Sequence, residues 1–106
     1  MNHRETQFIL MYDITDGRTL QKVAKEMEKH GFERINYSVW LGLKNPAKDL
    51  AFKTRICELL KKPEAENSRV YFFPIAHSSL AKMRTIDGRK PEELDYWLME
   101  RKTMFF

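Results

Sequence analysis

Two short runs, Phe8–Tyr12 and Val70–Ile75, are apolar at successive positions, so a strand built on either would be hydrophobic on both faces. Nothing else in the chain limits the fold as much. The first of them, Phe8–Tyr12, is expected to be central in its sheet. Neither run approaches the ~20 residues that a membrane span requires. With 106 residues the chain is expected to form one domain, 1–106. Its 42% hydrophobic and 12% aromatic content is enough to fill a core, which argues against disorder.

The first run stops at Asp13 and is followed by Ile14-Thr15-Asp16-Gly17-Arg18, which carries an Asp-Gly turn signal. Leu20, Val23, Ala24 and Met27 then recur at helical spacing, with Lys22, Lys25, Glu26 and Lys29 on other faces. Gly31 falls where a glycine C′ residue ends a helix, after His30 in the last turn. From Phe32 to Gly42 the period changes to two, which predicts one long strand. Ile35, Tyr37, Val39 and Leu41 would share one face, and Arg34, Asn36, Ser38 and Trp40 the other.

Asn45-Pro46 is predicted to open a second helix running to about Lys61, with Leu50, Ile56, Leu59 and Leu60 on its buried side. Lys62–Ser68 is a polar connection, and Arg69–Ala76 reads as a strand. Pro74 cannot donate to a ladder, so this strand is expected at an edge or with a bulge. Ser78–Met83 suits a short helix, Arg84–Gly88 a brief strand, Pro91–Glu100 carries helix formers, and Thr103–Phe106 is β-prone. The arrangement that fits these elements best is α+β and ferredoxin-like, a four-stranded antiparallel sheet with two helices on one face.

Two helices cover only one face of such a sheet. Leaving Phe72 or Phe73 in water would forgo roughly 1.5–3 kcal/mol of burial per side chain, and an open apolar face usually marks an interface. A homodimer about a two-fold axis is therefore expected. Residues 101–106 are the candidate for a C-terminal strand that packs on the partner of the homodimer; the alternative is that the tail folds back over its own sheet.

The net charge is +4 and the isoelectric point about 9.3, a mild lean toward polyanions. Placement matters more. Arg18, Lys22, Lys25 and Lys29 recur along the first helix, Arg34 follows, and Lys44 and Lys48 come soon after. A two-fold copy would double these into a track for sequence-blind, salt-sensitive phosphate contacts. The plainer alternative is a solvated helix face laced with Glu26 and Glu28. Trp40 could stack on a base or belong to the core. Cys57, the only cysteine, sits among Ile56, Leu59 and Leu60 and is expected to be a small buried hydrophobe. His3, His30 and His77 lack metal-ligand spacing; His30 suits a helix C-terminus and His77 the start of a helix. The polar N-terminus, MNHRETQ, has no apolar segment, so a cytoplasmic protein without membrane association is expected.

The sequence F-I-L-M-Y-D-I-T-D-G-R, followed by T-L-Q-K-V-A-K-E-M-E-K-H-G-F-E-R-I-N-Y-S-V-W-L-G, closely resembles the CRISPR-associated Cas-two family. Its members show an apolar strand ending in Tyr-Asp-Ile, a basic amphipathic helix closed by glycine, and an Arg-(Ile or Val)-(Gln or Asn)-x-Ser-Val-aromatic strand. The likeness is strong over about the first forty residues and extends to the rest in length and strand order. It implies a ferredoxin-like homodimer that pairs with the CRISPR integrase in spacer acquisition. It also implies a metal-dependent endonuclease acting on single-stranded RNA, double-stranded DNA or both, described as an endoribonuclease and in some members a deoxyribonuclease. By the same resemblance Asp13 is the metal carboxylate for Mg²⁺ or Mn²⁺, and the candidate catalytic residues are Asp13, Tyr12 beside it and Arg34, which lies with Trp40 on the second strand. The family's paired basic residues fall on Arg18 and Lys22.

Two Asp13 carboxylates meeting near a two-fold axis would suit Mg²⁺, which needs few protein oxygens, and Asp16 could ligate through water. Against this, Asp13 or Asp16 could simply form an Asx-turn or cap the following helix. Two other functions share these features. One is a non-catalytic duplex-DNA-binding scaffold of the integrase complex, and the other a toxin-like mRNA interferase.

Overall fold

The computed structural model describes residues 6–98, and the expected exchanged strand at 101–106 lies outside them. The element order is β1 (Thr6–Asp13), α1 (Gly17–Lys29), β2 (Glu33–Asn36), β3 (Val39–Gly42), α2 (Leu50–Leu60), β4 (Arg69–Ala76), α3 (His77–Leu80) and α4 (Leu94–Trp97). The first six elements run β-α-β-β-α-β and form a four-stranded sheet of order β2-β3-β1-β4. This is the ferredoxin-like arrangement. β1 is central, as a strand apolar on both faces should be, and β4, the strand that carries Pro74, lies at an edge.

The long strand expected from Phe32 to Gly42 is instead a hairpin. β2 and β3 pair antiparallel, with Glu33 opposite Leu41, Arg34 opposite Trp40 and Asn36 opposite Val39, and the register shifts between Arg34 and Asn36. A turn at Tyr37-Ser38 breaks the run, and the Asn36 side chain accepts the Tyr37 N–H at 2.6 Å. Asn in this local hydrogen bond is a turn former, which alternation of side chains does not reveal. The reversal also changes the faces. Trp40 is buried at 4% exposure, while Tyr37, expected on the apolar side, is 68% exposed.

Both helices cover the same side of the sheet. Leu10 and Tyr12 of β1 and Trp40 of β3 cluster with Val23 and Met27 of α1 and Phe52, Ile56 and Leu59 of α2. α1 ends as its sequence predicts. The Gly31 N–H donates to the Glu28 carbonyl and the Phe32 N–H to that of Met27, with Gly31 at φ +87°. That pair of bonds is the Schellman ending, which favours glycine at C′. Phe32 then reaches back over Gly42, where a Cβ would lie 2.2 Å from the ring, so only glycine admits this packing.

α2 begins later than predicted. Pro46–Lys48 form a separate 3-10 turn, and Asp49 starts the helix by accepting the Phe52 N–H at 3.2 Å. Leu50 is 74% exposed rather than buried, and Cys57 is exposed rather than a buried hydrophobe. Gln7–Pro74 make up one compact unit; Thr6 and residues 75–98 belong to a second. In the second, His77 starts α3 and Leu80, Leu94 and Trp97 are buried. The predicted strand at Arg84–Gly88 is a turn, closed by Gly88 N–H to the Thr85 carbonyl and by Thr85 N–H to that of Arg89, both at 2.8 Å. No helix among the described residues is long and apolar enough to cross a membrane.

Candidate functional site

β1 carries Phe8, Leu10 and Tyr12 toward the helices and Ile9, Met11 and Asp13 to the opposite face, because side chains alternate along a strand. Tyr12 sits at the centre of a polar node. Its hydroxyl accepts from Arg34 Nη2 at 3.2 Å and Trp40 Nε1 at 3.3 Å, and donates to the Tyr37 carbonyl at 3.2 Å. Arg34 also donates to that carbonyl, from Nη2 at 2.7 Å and Nε at 3.2 Å. Its guanidinium carbon lies 5.2 Å from the centroid of the Trp40 ring and 5.3 Å from that of Tyr37. A planar guanidinium can serve a carbonyl and two rings at once; an ammonium cannot. The structure thus joins Tyr12, Arg34 and Trp40, and together they tie the hairpin turn to the central strand. Trp40 belongs to the core, not to an exposed stacking surface.

Asp13 lies on the other face. It is exposed, and its carboxylate makes no hydrogen bond or ion pair with any described residue. Among the described residues no three His, Cys, Asp or Glu side chains gather to hold a metal. Asp13 is still an available hard-oxygen donor, and a pair of such carboxylates with waters is a fitting ligand set for Mg²⁺. One chain supplies half of that set.

Asp16 is engaged differently. Its Oδ2 accepts from the Thr19 N–H at 2.9 Å and Thr19 Oγ1 at 2.7 Å, capping α1. Those two bonds hold its carboxyl below the usual carboxylate range, with help from Arg18 and Lys22. Asp49 caps α2 and meets Lys44 Nζ at 2.7 Å and His30 Nδ1 at 3.0 Å. The Lys44 ammonium, the Phe52 N–H and His30 lower its pKa to about 2. Lys44 is therefore occupied, and it also lies over the Phe32 ring at 5.6 Å.

Arg18, Lys22, Lys25 and Lys29 stand exposed along α1 at intervals of four, three and four, one stripe of the helix. None pairs with a carboxylate among the described residues. Glu26, which could have neutralised them, turns to the other side, where it meets His30 at 3.5 Å and Arg55 at 3.8 Å. The stripe is thus a free cationic surface. Beside it, between α1 and the β2–β3 hairpin, opens a groove of about 670 Å³ lined by Gln21, Lys25, Glu28, Arg34, Tyr37 and Trp40 among others. Tyr37 and Gln21 escaped the sequence reading. Asn36-Tyr37-Ser38, an aromatic between two turn formers, is the signal that could have found Tyr37.

Fold and surface together define a ferredoxin-like domain with an unengaged acidic strand tip and a cationic helix. The family model for CRISPR associated protein Cas2 matches residues 6–83, and the chain belongs to that family. A curated relative from Pyrobaculum aerophilum, named CRISPR-associated endoribonuclease Cas2 2, is 46% identical over 44 residues. That match covers 40% of this chain and 48% of the relative, so the chain spans about half the length of the curated relative it matches. Among solved structures, a chain of a partial Cas6-RT-Cas1–Cas2 complex aligns with TM-score 0.63 at 20% identity, over 79% of this chain and 93% of that one. Streptococcus pyogenes Cas2, crystallised at pH 6.5, aligns with TM-score 0.58 at 17% identity, over 76% and 98%. At these identities the two structures speak for the fold.

Proposed function

We propose that this protein is a homodimeric, nucleic-acid-binding component of CRISPR spacer acquisition that works in the cytoplasm with the CRISPR integrase and cleaves phosphodiester bonds at a site centred on Asp13. The observation that carries this reading is the exposed, unengaged Asp13 at the tip of the central strand in a chain of the Cas2 family. The names of the relatives support it: one is called an endoribonuclease, and one solved structure is a complex that includes Cas1.

The sheet supports self-association. Tyr71, Phe72 and Phe73 of the edge strand β4 remain exposed, a run of aromatic surface that water solvates poorly. A two-fold partner would cover such an edge and bring a second Asp13 to the first. Asp13 from each copy would hold Mg²⁺ or Mn²⁺, which when bound polarises a phosphoryl oxygen and lowers the pKa of an attacking water. Arg18, Lys22, Lys25 and Lys29 would bind the phosphate backbone. Tyr12 and Arg34 would act as positioning residues: their hydrogen bonds fix the hairpin and the end of β1 from which Asp13 projects.

Asp13→Ala tests the reading. With labelled RNA and duplex DNA in Mg²⁺ or Mn²⁺, the variant should lose cleavage while its binding and its dimer, followed by sedimentation, persist. Wild-type protein that binds but never cleaves would leave the scaffold function in place of the nuclease. A monomer at micromolar concentration would remove the shared site. The free cationic stripe with no cleavage is the surface that the scaffold reading would use.

A further inference from the structure

We infer that the Tyr37 ring is a stacking platform for one unpaired nucleobase, presented by a single strand whose backbone runs along the cations of α1. This rests on the nucleic-acid-binding reading above and adds the residue that meets a base. Tyr37 occupies the tip of the β2–β3 turn with 68% of its surface exposed. The Arg34 guanidinium backs the ring at 5.3 Å, and the rest is open to a ligand. Exposure alone would mean little, since single aromatic residues on a surface are common.

Rigidity sets this one apart. The Tyr37 carbonyl takes three donors, two from Arg34 and one from Tyr12, and its N–H is held by Asn36. A ring on so fixed a turn loses little conformational freedom when a base lies on it. Arg34 behind it adds cation–π character to the stack.

The surroundings suit a nucleotide. The 670 Å³ groove falls within the range of small-ligand clefts. Gln21 in its wall offers both donor and acceptor to a base edge, and Glu28 disfavours a phosphate inside while accepting from an exocyclic amine. Lys25 belongs both to the groove and to the cationic stripe, so a backbone on the stripe passes the lip of the groove. From Arg18 to Lys29 the stripe runs about 16 Å at the helical rise, enough to meet several successive phosphates of one strand. A base in a duplex is hidden in its stack, so Tyr37 gains a partner only where the base is unpaired.

The test uses the full chain and short labelled oligonucleotides: single strands of RNA and DNA, the same strands with abasic positions, and the matched duplex. Tyr37→Ala should weaken single-strand binding about tenfold, the order expected for losing one stacked base. Duplex and abasic binding should not change, and Tyr37→Phe should bind as wild type does. Because Arg34 grips the main-chain carbonyl, Tyr37→Ala should keep the wild-type circular dichroism. Should it fail to fold, Tyr37→Leu supplies bulk without a π face and should show the same tenfold loss. A Tyr37→Ala or Tyr37→Leu protein that is folded and binds single strands as tightly as wild type overturns the stacking site. A variant that weakens single strand and duplex equally overturns it as well. In both cases nucleic-acid binding itself would still stand. Wild-type protein that binds no polymer would instead overturn the proposed function, and this inference with it.

Discussion

Tyr12 and Asp13 are neighbours at the end of one strand, and their environments could hardly differ more. Tyr12 faces the helices, is buried, and exchanges hydrogen bonds with Arg34, Trp40 and the Tyr37 carbonyl. Asp13 faces away, is exposed, and has no side-chain partner among the described residues. Strand alternation alone separates them. One residue is committed to holding the fold, and the next takes no part in it.

The difference can be broken first at its structural side. Trp40→Ala should cost about 3–5 kcal/mol in urea unfolding, since it empties a large core site and removes the indole donor to Tyr12. Tyr12→Phe should cost less, about 1–3 kcal/mol, chiefly because the buried Trp40 N–H loses its acceptor. Arg34→Lys should fall below that again in unfolding experiments. A lysine keeps the charge but cannot reach the Tyr37 carbonyl and the Tyr12 hydroxyl together.

An engaged carboxylate sharpens the contrast with Asp13. Asp49 titrates at about 2 in the folded protein against an ordinary 3.8, held down by Lys44, the Phe52 N–H and His30. A lowered carboxyl pKa stabilises the fold fully above the unfolded value and progressively less as pH falls toward the folded one. Acid unfolding between about pH 4 and pH 2 should therefore include a step that Asp49→Asn removes. The smallest effect on stability should come from Asp13→Asn, within about 0.5 kcal/mol in the same urea assay. Loss of cleavage by this variant with unchanged stability would show that Asp13 serves chemistry and not folding. Destabilisation by 2 kcal/mol or more, roughly the Tyr12→Phe value, would erase the distinction.

Much of the fold was legible because local chemistry and tertiary packing agreed. β1 declares itself by five apolar residues ending at an aspartate, α1 by its apolar stripe and its glycine ending, and β4 by Pro74 at an edge. The hairpin was not legible. Its residues alternate through the turn as a single strand would, and the reversal depends on Asn36 holding the Tyr37 N–H and on Arg34 gripping the carbonyl. Leu50 and Cys57 were misplaced because a separate 3-10 turn and the Asp49 cap set where α2 starts and which side it buries.

The candidate site divides in the same way. Asp13, Arg18, Lys22, Lys25 and Lys29 could be named from the chain, since an acidic strand end and a helical spacing of cations are properties of sequence order. That Glu26 turns from those cations to His30 and Arg55 required the tertiary structure. So did the gathering of Tyr12, Arg34 and Trp40 around one hydroxyl, and the exposure of Tyr37 beside them. Periodicity reports which residues share a face within one element. Partners 22 to 28 residues apart are chosen by how strands pair and where the chain turns, and that choice is made only when the sheet closes on its helices.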